Sequence, residues 1–303
     1  MTYGLGSESD SLPAFVVMSD PKGRGLPKGH AANWGAGFLP SVYQGTHFRP
    51  SGEPIDNLKR PKEMNAQQQR RQLDLLKSLN QKHFEANPFE ESLAARIESF
   101  ELAYRMQSAA PEALALEKEP EHIRKMYGLD DNKCKHFAAQ CLTARRMVER
   151  GVRFVQLYEK GWDSHGEIST QHPERCRAVD RPIAALIGDL KQRGLLNETL
   201  VIWGGEFGRT PMAQGSGSGF GRDHHPHGFT VWMAGGGIKP GIVHGATDEF
   251  GYFAEENKVH VHDLNATILH CLGMNHEKFT FRHQGRDFRL TDVHGQVVGN
   301  LLA

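Results

Sequence analysis

The sequence predicts an α/β fold, a mostly parallel sheet flanked by helices, and three observations carry that prediction. Short apolar runs of strand length recur after residue 150, at Phe154–Tyr158, Thr199–Trp203 and Phe229–Ala234. Between and around them, apolar residues fall at the three- and four-residue spacing of helices. Strand and helix therefore alternate, which is the rhythm of parallel strands joined by helical crossovers. A chain of 303 residues is long enough for one large domain with a sizeable core, and the expectation is a single domain over 1–303.

The elements follow in order. Residues 1–60 are rich in Gly, Pro, Ser and Asn, with one buried strand expected at Phe15–Met18. A loop region this long usually covers a site or packs over a neighbour. Residues 62–126 turn to Lys, Arg, Glu, Gln and Leu. There Leu73, Leu76 and Leu79, then Leu93, Ile97, Phe100 and Leu102, predict a helical insertion broken at Pro88, Pro111 and Pro120. Cys134, Phe137, Ala138, Cys141, Ala144, Met147 and Val148 predict a helix stopped at Gly151. Cys134 and Cys141 then share one face and belong to the core. No C-x-x-C pair suggests a zinc knuckle. Ile183, Ala184, Leu186, Ile187 and Leu190 predict a helix closed by Gly194. Leu264, Ile268, Leu269 and Leu272 predict another, with Asp263 as its N-cap.

Composition narrows the function. The 36 basic and 36 acidic side chains cancel, which argues against a nucleic-acid partner held by bulk positive charge. No apolar run approaches the roughly 20 residues of a membrane span. The first residues show no basic and apolar signal pattern. Of the 17 histidines, 13 lie after residue 135, which directs attention to metal and proton chemistry in that half.

Ligands of open α/β sheets bind beyond the carboxyl ends of strands. Gly161-Trp162-Asp163-Ser164-His165 follows the first of the three runs, and Asp163 with His165 forms a candidate metal half-site or a turn closed by Asp163. Gly204-Gly205-Glu206-Phe207-Gly208-Arg209 follows the second; Glu206 can bind a cation and Arg209 an anion, or the two can pair with each other. Asp223, His224, His225 and His227 lie within five residues kept out of a helix by Pro226 and flanking glycines, a pattern that favours metal binding over packing. Arg222 beside them is a further candidate anion contact, and His262 is either a ligand or part of a helix entry. Asp, Glu and His together suit one or two divalent ions, zinc or manganese ahead of calcium or magnesium. Two half-sites a few ångströms apart could clamp a displacement at phosphorus or sulfur.

Two resemblances extend this reading. Thr199–Gly208 resembles the alkaline-phosphatase superfamily signature, an apolar strand running into a metal-binding Asp-His-Gly, with Glu206, Phe207 and Gly208 in those three places. His224 resembles the late metal histidine of that superfamily, Asp163 and His165 its earlier pair, and Asp263–Leu269 the helix near the end of phosphatase and sulfatase domains. More closely, Tyr3–Gly6, Leu12–Val17, Asn33–Thr46, Gly161–His165, Trp203–Pro211, Gly221–Pro226 and Gly285–Gly295 resemble the bacterial domain-of-unknown-function 1501 family, described as sulfatase-like and usually exported, commonly with a twin-arginine signal.

The resemblance implies a metal-dependent hydrolase of phosphate or sulfate esters, acting on a small-molecule or polysaccharide substrate. It implies Asp163, His165 and His224 at one metal, Glu206 at a second, Asp223 supporting either, and Arg209 or Arg222 on the anion. It also implies a first strand, a Gly-Gly-Pro-Ser-like nucleophile turn, a second-site aspartate and an export signal upstream of Tyr3, all missing here, so that the chain is expected to be truncated and impaired. Phe207 cannot bind a metal, and no Cys-x-Pro-x-Arg or Ser-x-Pro-x-Arg is present to supply a sulfatase nucleophile. Ser164, between two candidate ligands, is expected in a turn. The rival expectation is a non-catalytic exported protein of the same fold that binds metal or a sulfated polysaccharide.

Overall fold

Phe15, Val16, Val17 and Met18 form strand β1 (Phe15–Met18), in which Val16, Val17 and Met18 are buried. β1 lies between β2 (Thr46–Phe48) and β3 (Phe154–Leu157) and runs parallel to both, pairing Val16 with Thr46 and with Val155. A central parallel strand is covered on both faces, which is why its sequence is an unbroken apolar run rather than an alternating one. The computed structural model describes residues 1–20, 29–49, 54–55, 58–87 and 91–303, without the side chains of 91–96. The architecture is mixed α/β, with seven α-helices among the described residues. The chain forms two compact units, Met1–Lys160 and Gly161–Ala303.

In the first unit a single turn, α1 (Thr2–Leu5), precedes β1, and α2 (Ala66–Ala86) and α3 (Glu91–Ala113) occupy much of the polar stretch. α2 starts at a capping box, with Asn65 and Gln68 each accepting the other's backbone N–H at 2.9 Å. It buries no residue, and Leu75, Leu76 and Leu79 stay exposed. What ties it to α3 is polar: Arg70 donates to both carboxylate oxygens of Glu101, at 2.7 and 3.0 Å, and lies over the Tyr104 ring. Pro111, expected as a break, lies inside α3, which runs two residues further to Ala113. A proline near a helix end costs only one of the last intrahelical bonds. Pro120 does mark a boundary, as the N-cap of α4 (Glu121–Tyr127). Pro88 and the Leu93 side chain fall outside the described residues.

Helix α5 (Lys135–Val148) buries ten of its residues, including Phe137, Ala138, Cys141, Ala144 and Met147. Cys134 and Cys141 are free thiols in this core, and burial pushes the Cys141 thiol pKa up. Gly151 ends the element with φ of 81°, and a Cβ there would press on the Glu8 backbone at 2.9 Å. So enclosed a helix also buries polar groups. Arg145 and Arg146 both bond to Glu119, with side-chain exposures of 2%, 7% and 7% respectively. Arg146 further donates to the carbonyl oxygens of Ala113 and Glu112, at 2.7 and 2.8 Å. Met106, Ala110 and Ala113 of α3 pack with Ala144 and Met147 of α5 and with Val16 and Phe48 of the sheet.

In the second unit α6 spans Ile168–Gln192, starting fifteen residues before the helix expected from Ile183. Pro173 and Pro182 hid its first half, yet Ala178, Pro182, Ala185 and Asp189 are all buried at three- and four-residue spacing. β4 (Val201–Trp203), β5 (Gly208–Arg209), β6 (His224–His225) and β7 (Trp232–Ala234) form two antiparallel pairs, β4 with β7 and β5 with β6. This corrects the expectation of one mostly parallel sheet: among the described residues only β1, β2 and β3 are parallel, and the other sheets are small antiparallel pairs. Strand length and apolarity carry no information on direction, and Ile202, Trp203 and Trp232 stay exposed where burial was expected. β8 (Ala246–Thr247) pairs with β9 (Ala254–Glu256), and β10 (Thr280–His283) with β11 (Arg286–Arg289). Helix α7 (Val261–Cys271) is capped by His260, not Asp263. Asp263 is the third helical residue, and its Oδ2 accepts the His260 N–H at 2.9 Å, closing a capping box. No helix among the described residues is long and apolar enough to cross a membrane.

The Glu119 network gives the first prediction. Glu119→Ala removes the carboxylate that buried Arg145 and Arg146 share, leaving Arg145 with the partly exposed Glu149, and should lower unfolding free energy by about 3 kcal/mol. Urea denaturation reads this directly, and a loss below about 1 kcal/mol, the size of an exposed pair, would contradict it.

Candidate metal centre

Three short segments of the second unit are stitched together by backbone hydrogen bonds. Ahead of α6, the carbonyl oxygen of Ser164 accepts the Arg222 N–H at 3.0 Å. The N–H groups of Glu167 and Ile168 donate to the carbonyl oxygens of Gly219 and Phe220, at 3.1 and 3.2 Å. Gln214 and Gly221 exchange both backbone bonds, at 2.8 and 2.9 Å, and Thr210 N–H donates to Asp223 at 2.9 Å. β5 and β6 complete the array by placing Arg209 opposite His224. Gly221 sits where this seam is tightest, because a Cβ there would overlap the His165 carbonyl carbon and the Gly166 nitrogen. Its φ is not positive, so the need for glycine is one of space.

The seam brings Asp163, His165 and His224 together from 61 residues of chain. Asp163 Oδ1 lies 2.9 Å from His165 Nε2 and 3.0 Å from His224 Nε2, and the two nitrogens are 3.1 Å apart. Among the described residues this is the group of three His, Cys, Asp or Glu side chains whose ligand atoms could hold a metal ion. A tetrahedral ion with bonds of about 2.0–2.1 Å spaces its ligand atoms about 3.3 Å apart, so this triangle needs shifts of only a few tenths of an ångström. The chemistry also fits. A carboxylate oxygen and two imidazole nitrogens that face one another bring lone pairs together, and a proton or a metal cation relieves that arrangement. The three side chains are 63%, 41% and 46% exposed, so the centre is open to solvent.

Arg209 completes the site. Its Nη2 donates to the same Asp163 Oδ1 at 2.6 Å, and its Nη1 reaches the Arg222 carbonyl oxygen at 3.4 Å. Desolvation pushes the Asp163 pKa up, but hydrogen bonds from Arg209 and His224 and the Arg209 charge outweigh it and bring the value down to about 2. The pairing of Arg209 with Glu206, one of the alternatives in the sequence, gives way to pairing with Asp163.

The remaining candidates lie apart from the triad. Glu206 is exposed and outside the group of three. Asp223 Oδ1 is 3.8 Å from His165 Nδ1 and accepts the His224 N–H at 2.8 Å, a supporting position rather than a ligand position. Arg222 donates to the Thr210 carbonyl oxygen at 3.0 Å. His225 is buried and bonds through Nε2 to the Tyr252 carbonyl oxygen, while His227 packs on Phe253. Strand alternation sends neighbours to opposite faces, so His225 turns away where His224 turns in. His262 lies in the first turn of α7 with its ring against His260 and His294. Ser164 is 1% exposed, and its hydroxyl donates to Gln171 Oε1 at 3.1 Å.

Two neighbours were not visible as site residues. Phe207 holds no ligand atom, but its ring packs on the His224 imidazole at 4.5 Å between centroids and so limits that ring's rotation. Gln214 Oε1 lies 2.7 Å from His165 Nδ1. Compared with known families, residues 1–302 match the family model described as protein of unknown function (DUF1501). No curated protein and no solved structure matches the chain.

Two predictions follow from the geometry. The Asp163 pKa is depressed below its ordinary value of about 3.9, so its ionic contribution to stability is present above about pH 4 and lost as pH falls toward 2. Arg209→Met should move the Asp163 carboxyl titration upward in a 13C NMR experiment; an unmoved midpoint would contradict the pairing. Gly221→Ala should force the seam apart and disorder His165, seen as collapse of the backbone amide shifts of 163–168 toward coil values. Native shifts for those residues in the variant would show that the close approach does not matter.

Proposed function

Because this chain belongs to the DUF1501 family, whose description assigns no activity, we propose from the site itself that it is a metal-dependent hydrolase of phosphate or sulfate esters. The observation that carries the reading is the convergence of Asp163 Oδ1, His165 Nε2 and His224 Nε2 within 3.1 Å of one another beside the Arg209 guanidinium. Three protein ligands with an open side are the donor set of a catalytic rather than a structural ion. Mixed imidazole and carboxylate ligands favour zinc or manganese. Bound there, a divalent ion supplies Lewis acidity at a phosphoryl or sulfuryl oxygen. Arg209 lends planar donors to the same anion once the ion competes for Asp163. The other parts of the reading are the alkaline-phosphatase-like fold, the exported location and a second ion at Glu206. They rest on the motif resemblances of Gly161–His165, Trp203–Pro211 and Gly221–Pro226.

A second reading has its own support. Ser164, the hydroxyl nearest the ligands in sequence, is buried and bonded to Gln171, and Phe207 stands where the superfamily signature has a histidine. Both favour a non-catalytic protein that binds metal, or a sulfated polysaccharide through metal and Arg209.

Elemental analysis after dialysis against zinc and manganese separates these from a metal-free protein. The wild type should retain about one equivalent, and Asp163→Ala and His224→Ala should retain none. Equal metal content in wild type and both variants would refute the centre. Hydrolysis of aryl phosphates or sulfates that disappears in the same variants favours the enzyme. A metal-loaded protein without such hydrolysis favours the binding reading.

A further inference from the structure

Gln214 lies in a Gly- and Ser-rich stretch, and nothing about its sequence neighbourhood points to a metal. Its side-chain oxygen is nevertheless 2.7 Å from His165 Nδ1. A carbonyl oxygen only accepts, so Nδ1 must carry the hydrogen. A neutral imidazole has a single N–H, which leaves Nε2 with a bare lone pair. That nitrogen is the one facing Asp163 Oδ1 and His224 Nε2.

We propose that Gln214 is the positioning residue that fixes His165 in its Nδ1–H tautomer and so presents Nε2 as a metal ligand. The inference rests on the metal-centre reading above and names the residue that makes one of its ligands competent. Gln214 is itself held in place, since its backbone exchanges 2.8 and 2.9 Å bonds with Gly221, the residue that lies against the His165 backbone. Its amide therefore reaches His165 from an isolated β-bridge with Gly221. The other acceptor near Nδ1 is Asp223 Oδ1, which is 3.8 Å away and already takes the His224 N–H at 2.8 Å. Metal-bound histidines commonly donate their second ring hydrogen to such a partner, and removing the partner typically costs 10–100-fold in metal affinity.

The test uses the full chain with two variants, Q214L, which removes the acceptor at similar size, and Q214E, which keeps an acceptor oxygen. Long-range 1H–15N correlation spectra of the metal-stripped proteins report the His165 tautomer without any metal present. Wild type and Q214E should show the Nδ1–H form, and Q214L a mixture or the Nε2–H form. Zinc titration should then show Q214L weakened about 10–100-fold and Q214E restored. An unchanged tautomer in Q214L overturns the proposal, as does a changed tautomer with unchanged zinc affinity. Equal loss in Q214L and Q214E also overturns it, because that is the signature of a structural role. Should the wild type bind no zinc, the metal-centre reading falls, and the tautomer comparison still decides whether Gln214 orients His165.

Discussion

A single oxygen atom, Asp163 Oδ1, has the Arg209 Nη2 at 2.6 Å and two imidazole Nε2 atoms at 2.9 and 3.0 Å. The arrangement of Asp163, His165, His224 and Arg209 depends on that crowding being tolerable. Hydrogen bonds from Arg209 and His224 and the neighbouring positive charge bring its carboxyl pKa down to about 2, and the two imidazoles face each other at 3.1 Å. Exposed ion pairs contribute little to stability, so the cluster makes better sense as a binding device than as a brace for the fold.

The device is possible because the backbone does the work of assembly. Residues 163–168 and 219–222 are joined by three main-chain bonds. Gly221 allows that approach, and the two-residue β5–β6 pair sets Arg209 opposite His224. Short antiparallel pairs of this kind have little apolar burial of their own. They owe their geometry to hydrogen-bond register, and of the side chains this pair carries His224 is open to solvent while His225 is buried. The first unit is built differently, with a buried parallel sheet, apolar packing of α3 and α5 upon it, and one buried carboxylate neutralising two arginines.

Much of the chain was legible before its structure. Apolar runs located β1, β3, β4 and β7 because strands favour β-branched and aromatic residues, even where, as in β4 and β7, those side chains stay exposed. The period of α5 and its stop at Gly151 were equally plain. Asp163, His165 and His224 were visible as chemistry because carboxylate and imidazole groups clustered in glycine-rich turns have few packing explanations. What could not be read was pairing. The direction of β4 against β7 is set by connections and contacts rather than by composition, and the opposite orientations of His224 and His225 follow from a strand of two residues that no periodicity can register. Pro173 and Pro182 masked half of α6, although both prolines are accommodated within it. Gln214 was invisible because its contact with His165 is one hydrogen bond across 49 residues.

The central claim is that two histidines and one aspartate from this seam bind one divalent ion. Zinc K-edge X-ray absorption on the zinc-loaded chain tests it most directly. The account predicts a first shell containing two imidazole nitrogens at about 2.0–2.1 Å together with oxygen. A shell of oxygen alone, or one with a single imidazole, would contradict it.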